Sequence, residues 1–250
     1  MLIGISGKIG AGKDLTTRMF QREEAIMLIE EGKMGQFHAS QLPSLEELTQ
    51  DNCNLDNFTR LKNMKFATKL KDFAAAVTGI ERWWFDDGQK KKEVLGPEWN
   101  INDIDMDKDR LIVDQPMTIR ELLIRIGHGC RVQVHPDIWV NALFSDYRLK
   151  STPIRTNEPH DGILKKMKFE EVYPDWIISD MRYPNEKARV EVLQGFSVRI
   201  NRDNVQLIDH ESETGLDDAN FDYYIDNNGS LEDLQAQVRR ILMSIKAQQP

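Results

Sequence analysis

The sequence predicts an α/β protein in three layers, a mostly parallel sheet with helices on both faces. Three observations lead there. Short apolar runs alternate with longer stretches of helical period along the whole chain, an order that calls for right-handed crossovers. The first run, Leu2, Ile3 and Ile5, is ended by glycines and followed by a helical stretch, as a buried parallel strand feeding a tight loop would be. A later run, Trp176, Ile177 and Ile178, leads to Asp180, placing an acid at the carboxyl end of a strand, where open α/β sheets gather their ligands.

Length and composition narrow the field. A chain of 250 residues is read as one domain with insertions at about 32–57 and 81–115, long enough to bury a substantial core. A formal net charge of −8 argues against a nonspecific polynucleotide binder, while leaving room for a local basic pocket for a small anion. No apolar run has the length of a membrane span, and the first residues lead straight into a core strand rather than a signal peptide. Cys53 and Cys130 make neither a disulfide scaffold nor a metal site. Free thiols fit a cytoplasmic protein, in the host cell's cytoplasm if the chain is phage-encoded.

In order along the chain, residues 14–31 read as a helix with Leu15, Met19, Ile26 and Ile29 on its apolar face, closed by Gly32 and Gly35. The polar stretch to about residue 57 holds a capping-box start at Ser44 and Glu47. Residues 61–77 read as helical, with Leu61, Met64, Phe66, Leu70, Phe73 and Val77 apolar and Lys65, Lys69 and Lys71 interleaved. Residues 81–115 are rich in charge and aromatics. Asp103, Asp105, Asp107 and Asp109 lack the glycine and terminal glutamate of a calcium loop and read as a solvated loop. Thr118 and Glu121 form a capping box for a helix ending at Gly127, which puts Arg120 in a first turn where the helix dipole disfavours a cation. Pro136 opens another helix containing Trp139, Val140 and Leu143. Residues 151–173 read as a variable connection. After Asp180 come a helix opened by Pro184, a strand over 196–200, a loop at 210–213, a short strand over 221–225, a turn at 226–229, and a final amphipathic helix capped by Ser230.

The most specific signal is at the start. Gly7, Lys8, Ile9, Gly10, Ala11, Gly12 and Lys13 fit the spacing G-x-x-x-x-G-K, and the strand and helix around them supply the context that lifts this motif above chance. Glycines let the backbone approach a polyphosphate. Successive N–H groups then form an anion-binding concavity at a helix N-terminus, with Lys13 reaching the β- and γ-phosphates. The binding set on this reading is Gly7, Ile9, Gly10, Ala11, Gly12, Lys13, Asp14 and Leu15. The residue after the lysine is ordinarily Ser or Thr, whose hydroxyl binds Mg²⁺, and here it is Asp14. Its carboxylate suits Mg²⁺, directly or through water, and equally suits the first turn of a helix. Asp180 reads as the acid that a Walker-B type strand delivers to Mg²⁺, or as a turn residue.

The whole chain resembles the phage-type deoxynucleoside monophosphate kinases, which are P-loop kinases of the nucleoside monophosphate kinase type. The likeness rests on residues 7–14 with Asp after the Lys, and on the runs 66–71, 118–123 and 135–141. The run 177–186, with its Ser-Asp-x-Arg-x-Pro-Asn-Glu pattern, and the runs 210–213 and 226–229 complete it. The insertions match least. The resemblance implies a three-layer P-loop kinase fold with helical insertions and a lid, for which residues 81–115 are the candidate. It implies ATP and Mg²⁺, and transfer of the γ-phosphoryl group to a deoxynucleoside 5′-monophosphate. Catalytic candidates are then Lys13, Asp180, Arg182 and Arg131. Acceptor-site candidates are Lys71, Arg120, Arg131, Arg182, Asp180, Glu186 and Trp139, the last for its indole against the base. Kinases of this type are often dimers, so a homodimer is an expectation of the resemblance alone. Neither a polynucleotide nor a membrane is expected as a partner. A P-loop kinase for another small phosphate ester, of the phosphomevalonate type, shares the donor chemistry. A nucleotide-dependent switch or nucleic-acid-handling ATPase shares the loop.

Overall fold

The computed structural model describes residues 1–35, 37–50, 53–105, 110–154, 168–203, 205 and 211–248. The chain forms two compact units, Met1–Lys65 with Phe144–Pro250, and Phe66–Leu143.

The larger unit is built on a five-stranded, all-parallel sheet. Its strands are β1 (Leu2–Gly7), β2 (Lys62–Met64), β7 (Trp176–Ile178), β8 (Phe196–Asn201) and β9 (Tyr223–Asp226), in the order β2-β7-β1-β8-β9. Between β2 and β7 come the hairpin strands of both units, β3 to β6. The strand β1 is central, and the chain crosses from β7 on one side of it to β8 on the other. The loops that leave the carboxyl ends of β7, β1 and β8 are therefore neighbours, which is the crevice position of an α/β sheet.

Alternation along β1 decides which helix lies on which face. Ile3 and Ile5, fully buried, share a core with Met19 and Phe20 of α1 (Lys13–Glu30) and with Val238 and Leu242 of α7 (Leu231–Gln248). Leu2 and Gly4 face α5 (Pro184–Val192). A Cβ at Gly4 would lie 2.9 Å from Met181 Sδ and 3.3 Å from Val190 Cγ2, so the glycine is the condition for the helix's close approach. Helices thus cover both faces, as the sequence pattern predicts.

The polar stretch 32–57 belongs to this core. Its 3₁₀ turns, Ala39–Gln41 and Glu47–Thr49, carry Leu42, Leu48 and Leu55 into the main cluster. A fully buried leucine is worth about 2 kcal/mol of apolar transfer. Arg18 Nε donates to Leu48 O at 2.7 Å and Arg22 Nε to Pro43 O at 2.8 Å, tying the segment to α1. The capping pair forms as expected, Ser44 N–H donating to Glu47 Oε2 at 2.7 Å.

Several boundaries move. Residues 61–65 are not helical: β2 occupies 62–64 and pairs with β7, and α2 begins at Phe66 (Phe66–Thr78). The Leu61 and Met64 spacing imitates a helical face, but the backbone is taken up by the edge of the sheet, with Lys62 N–H donating to Asp175 O at 2.8 Å. Residues 151–173 include a hairpin, β5 (Lys150–Ile154) against β6 (Lys168–Val172), with 155–167 outside the described residues. The loop expected at 210–213 holds a one-turn helix, α6 (Glu211–Thr214), and His210 lies outside the described residues.

The smaller unit packs α2 against α3 (Ile119–Gln133), with Ala74, Phe85, Met117, Ile119 and Leu122 buried between them and the 3₁₀ turns Arg82–Phe85, Lys90–Lys92 and Pro97–Trp99. The capping box at Thr118 forms, Glu121 N–H donating to Thr118 Oγ1 at 3.2 Å. Gly127 does not end α3. It sits mid-helix, buried, where a Cβ would meet Leu70 Cδ2 at 3.2 Å, so it is a point of close helix approach rather than a stop. In place of the solvated loop, β3 (Ile101–Asp105) and β4 (Arg110–Gln115) pair antiparallel. Asp103 and Asp105 belong to β3, and Asp107 and Asp109 lie outside the described residues. Pro136 stands in the turn before α4 (Ile138–Phe144), whose Trp139, Val140 and Leu143 are buried as the apolar pattern predicts.

Helix α1 buries two carboxylates. Glu23 accepts from Gln235 Nε2 at 2.7 Å and from Arg239 Nη1 at 3.2 Å. Glu24 accepts from Thr59 Oγ1 and, at 3.1 Å, from the N–H of Arg60, pinning the chain that leads into β2. Burial raises the pKa of Glu24, against those hydrogen bonds. The folded chain therefore keeps a proton that the unfolded chain has released. This contribution to stability is complete below the ordinary carboxylate range and is lost as pH climbs through the raised value. Relative to wild type, Glu24→Gln is predicted to gain about 2–4 °C in Tm between pH 4 and pH 8. Parallel Tm profiles for the two proteins would contradict the assignment.

Candidate functional site

Strand β1 ends at Gly7 and α1 starts at Lys13, and residues 8–12 turn the chain between them. Gly10 (φ 80°) and Gly12 (φ 92°) lie in the left-handed region, and Gly12 is the N-cap of α1 without a side-chain cap. Ala11 N–H donates to Lys8 O at 3.1 Å, curling the loop. The loop thus joins the central strand to the N-terminal end of an 18-residue helix, in the strand–loop–helix order that the spacing predicts.

Lys13 Nζ lies over this loop, donating to Gly7 O at 2.7 Å and Lys8 O at 2.9 Å. Burial, with the nearby Arg182 guanidinium, lowers its pKa to about 8. Ile9 is exposed and Leu15 half-buried, flanking the loop, and Ala11 is buried beneath it. Two other segments fix the loop. Asn227 Nδ2, after β9, donates to Ala11 O at 2.8 Å, and a Cβ at Gly12 would come within 2.4 Å of that nitrogen. From α6, Glu213 Oε2 accepts the N–H of Ile9 at 2.7 Å, and Glu213 O accepts from Lys8 Nζ at 2.8 Å. Neither Asn227 nor Glu213 was a site candidate. Each belongs to a stretch that carried the family likeness, but a contact between residues so distant in the chain has no local signal.

The acid-and-arginine stretch after β7 is brought beside the loop. Met181 N–H donates to Ile5 O at 3.1 Å, and the Arg182 guanidinium is paired with the Glu213 carboxylate. Glu186 is buried, and its Oε2 accepts the N–H groups of Arg182 at 2.6 Å and Tyr183 at 3.0 Å. Through this oxygen it shapes the turn that presents Arg182. Asp180 is half-buried just beyond the end of β7.

Asp14 is exposed in the first turn of α1 and accepts from Lys65 Nζ at 2.7 Å. Burial works against its ionisation, and the bond from Lys65 together with the charges of Lys65, Arg18 and Lys13 outweighs that and holds its pKa below the usual carboxylate value. Among the described residues no cluster of three or more His, Cys, Asp or Glu forms a metal cage. Mg²⁺ bound together with a nucleotide is held by one or two carboxylates rather than by an all-protein cage.

On the outer side of the loop a cleft of about 760 Å³ is lined by Ile9, Gly10, Leu15, Arg202, Val205 and Asn227, among others. Arg202 Nη1 donates to Gly10 O at 3.3 Å. Both the volume and the mixed lining suit a nucleoside.

The remaining candidates belong to the smaller unit. Lys71 Nζ donates to Asp86 Oδ1 at 2.8 Å, Arg120 is exposed in the first turn of α3, and Arg131 is half-buried in its last turn. Trp139 is 5% exposed, its Nε1 donates to Gly127 O at 3.1 Å, and its ring meets Phe73 edge-on at 6.1 Å. The indole is thus used in packing α4 on α3, the core place that its apolar neighbours Val140 and Leu143 share, rather than standing open as a stacking face.

Comparison with protein-family models and with curated proteins found no match. Among the described residues no helix is long and apolar enough to cross a membrane.

Gly12→Ala combines a left-handed φ with a clash against Asn227, and a cost of about 1–3 kcal/mol is expected, seen as a lower Tm and, on the kinase expectation, as weaker ATP binding in calorimetry. Unchanged melting and affinity would mean the loop tolerates another conformation. The lowered pKa of Lys13 predicts a second behaviour. Its positive charge is lost as pH rises through about 8, so on the kinase expectation kcat/KM for ATP should be level below that pH and fall above it. In Lys13→Arg the cation persists and the alkaline fall should vanish, whatever the absolute rate. An identical alkaline limb in both proteins would assign it to another group.

Proposed function

We propose that the chain is an ATP-dependent kinase that converts deoxynucleoside 5′-monophosphates to diphosphates. The observation that carries the donor half of this reading is the loop at 7–13 with its ammonium, seated at the carboxyl end of the central strand beside the Arg182 stretch. The acceptor half is supported by the family resemblance of residues 118–123, 135–141 and 177–186.

The chemistry asked of these residues is positioning and charge neutralisation, because phosphoryl transfer involves little covalent work by the protein. Loop amides and Lys13 would hold the donor phosphates, and the cleft at Asn227 and Arg202 would take the donor nucleoside. Mg²⁺, when bound, supplies neutralisation of the β- and γ-oxygens. Arg182 would face the transferring group, where negative charge spreads over the equatorial oxygens. The acceptor is already a phosphate oxyanion, so no strong general base is needed. Asp180 is therefore better suited to orienting a metal or an arginine than to removing a proton. Lys71, Arg120 and Arg131 remain candidates for the acceptor phosphate.

A coupled ADP-release assay across the four deoxynucleoside and four ribonucleoside monophosphates tests the reading, with turnover expected on one or more deoxynucleotides. ATP hydrolysis stimulated only by polynucleotide would favour the ATPase alternative. Turnover on another phosphate ester alone would favour the other kinase class. In the same assay Lys13→Ala is expected to lose on the order of 3 kcal/mol of transition-state stabilisation, roughly a hundredfold in rate. Near-wild-type turnover in that variant would remove the loop from the mechanism.

A further inference from the structure

The buried carboxylate of Glu213 is not used by the mechanism above, and its partners are unusual. Glu213 is 8% exposed, although it lies on a one-turn helix at the surface of the unit. One carboxylate oxygen, Oε1, accepts from Arg182 Nη1; the other, Oε2, accepts the N–H of Ile9 in the loop at 2.7 Å. The residue's own carbonyl is held by Lys8 Nζ at 2.8 Å, and Lys8 is also paired with Asp217 one turn further on. Asp217 in turn accepts from Arg199 Nη2 at 2.8 Å, and Arg199 Nη1 donates to Ser6 Oγ at 3.0 Å, next to the loop. Residues 213–217 are thus fastened to both ends of the β1–loop junction.

Resting on the kinase reading, we propose that Glu213, itself held by the Ile9 N–H, is a positioning residue that holds the Arg182 guanidinium against the phosphate loop. Three features require its charge and length. The buried Glu213 carboxylate has a half-buried arginine as its counter-charge and a second hydrogen bond from the Ile9 N–H, so neither of its oxygens is left without a partner. Arginine has five donors in a fixed fork, so engaging Nη1 orients the plane of the group while using only part of it. The main chain of Arg182 is held separately by Glu186, so the arginine is fixed at both ends, by Glu186 at its N–H and by Glu213 at its tip. A cation aimed this way costs no reorganisation when charge develops on a transferring group. Glutamine at 213 keeps one acceptor oxygen but turns an N–H₂ toward either Arg182 or Ile9, so it satisfies one partner only.

The test is a double-mutant cycle on wild type, Glu213→Gln, Arg182→Ala and the double variant, with Tm measured for each. Because Glu213 acts through Arg182, Glu213→Gln should lower kcat about tenfold with acceptor KM changed less than about threefold, and should have almost no further effect once Arg182 is alanine. Glu213→Asp, which keeps the charge, should recover part of the loss. Equal fold-losses in both backgrounds, an unchanged kcat, or a rate loss that merely follows Tm would overturn the proposal. If wild type phosphorylates no nucleoside monophosphate, the kinase reading fails on that result alone. The same four proteins are then compared for ATP·Mg²⁺ affinity. Weakening by Glu213→Gln in the wild-type background but not in the Arg182→Ala background supports the positioning role, and four equal affinities refute it.

Discussion

Between Gly7 and Lys13 the main chain must turn from a strand into a helix within five residues. Two left-handed glycines make that turn sterically accessible, but they also leave the loop with little intrinsic stiffness. The structure supplies the stiffness from outside. Asn227 holds Ala11 O, Glu213 holds the N–H of Ile9, Arg202 reaches Gly10 O, and Lys13 folds over the carbonyls of Gly7 and Lys8. The loops after β8 and β9, and the helix α6, are organised about this one segment.

The charges around it follow a common logic. The chain is acidic overall, yet Lys8, Lys13, Arg182 and Arg199 converge at the carboxyl end of β1 and its neighbours. Such a gathering needs acids to offset it, and Glu213 and Asp217 are placed to do so through direct bonds. The lowered pKa of Lys13 comes first from its burial and then from the neighbouring Arg182. An anion arriving at the loop would therefore meet cations that are already desolvated and already aimed, the condition under which electrostatic stabilisation is largest.

How much of this was legible follows from the range of the signals. The loop, its flanking strand and helix, the acid-ended strand β7, and the caps at Thr118 and Ser230 are local patterns, and the structure has them where the residues indicate. Period alone misled where a short strand copies helical spacing, as at Leu61 and Met64, and where a glycine serves close packing rather than a helix stop, as at Gly127. Asn227 and Glu213 were not legible as site residues because each reaches the loop from more than two hundred positions away. For Glu186 and Trp139, nothing in a sequence distinguishes a polar atom satisfied by the main chain from one awaiting a substrate.

A crystal structure with ATP and Mg²⁺ bound tests the central claim most directly. The account predicts the triphosphate lying along the amides of residues 10–14, with Lys13 Nζ moved from the carbonyls of Gly7 and Lys8 onto phosphate oxygens. A triphosphate bound elsewhere on the protein, with Lys13 still on those carbonyls, would contradict it.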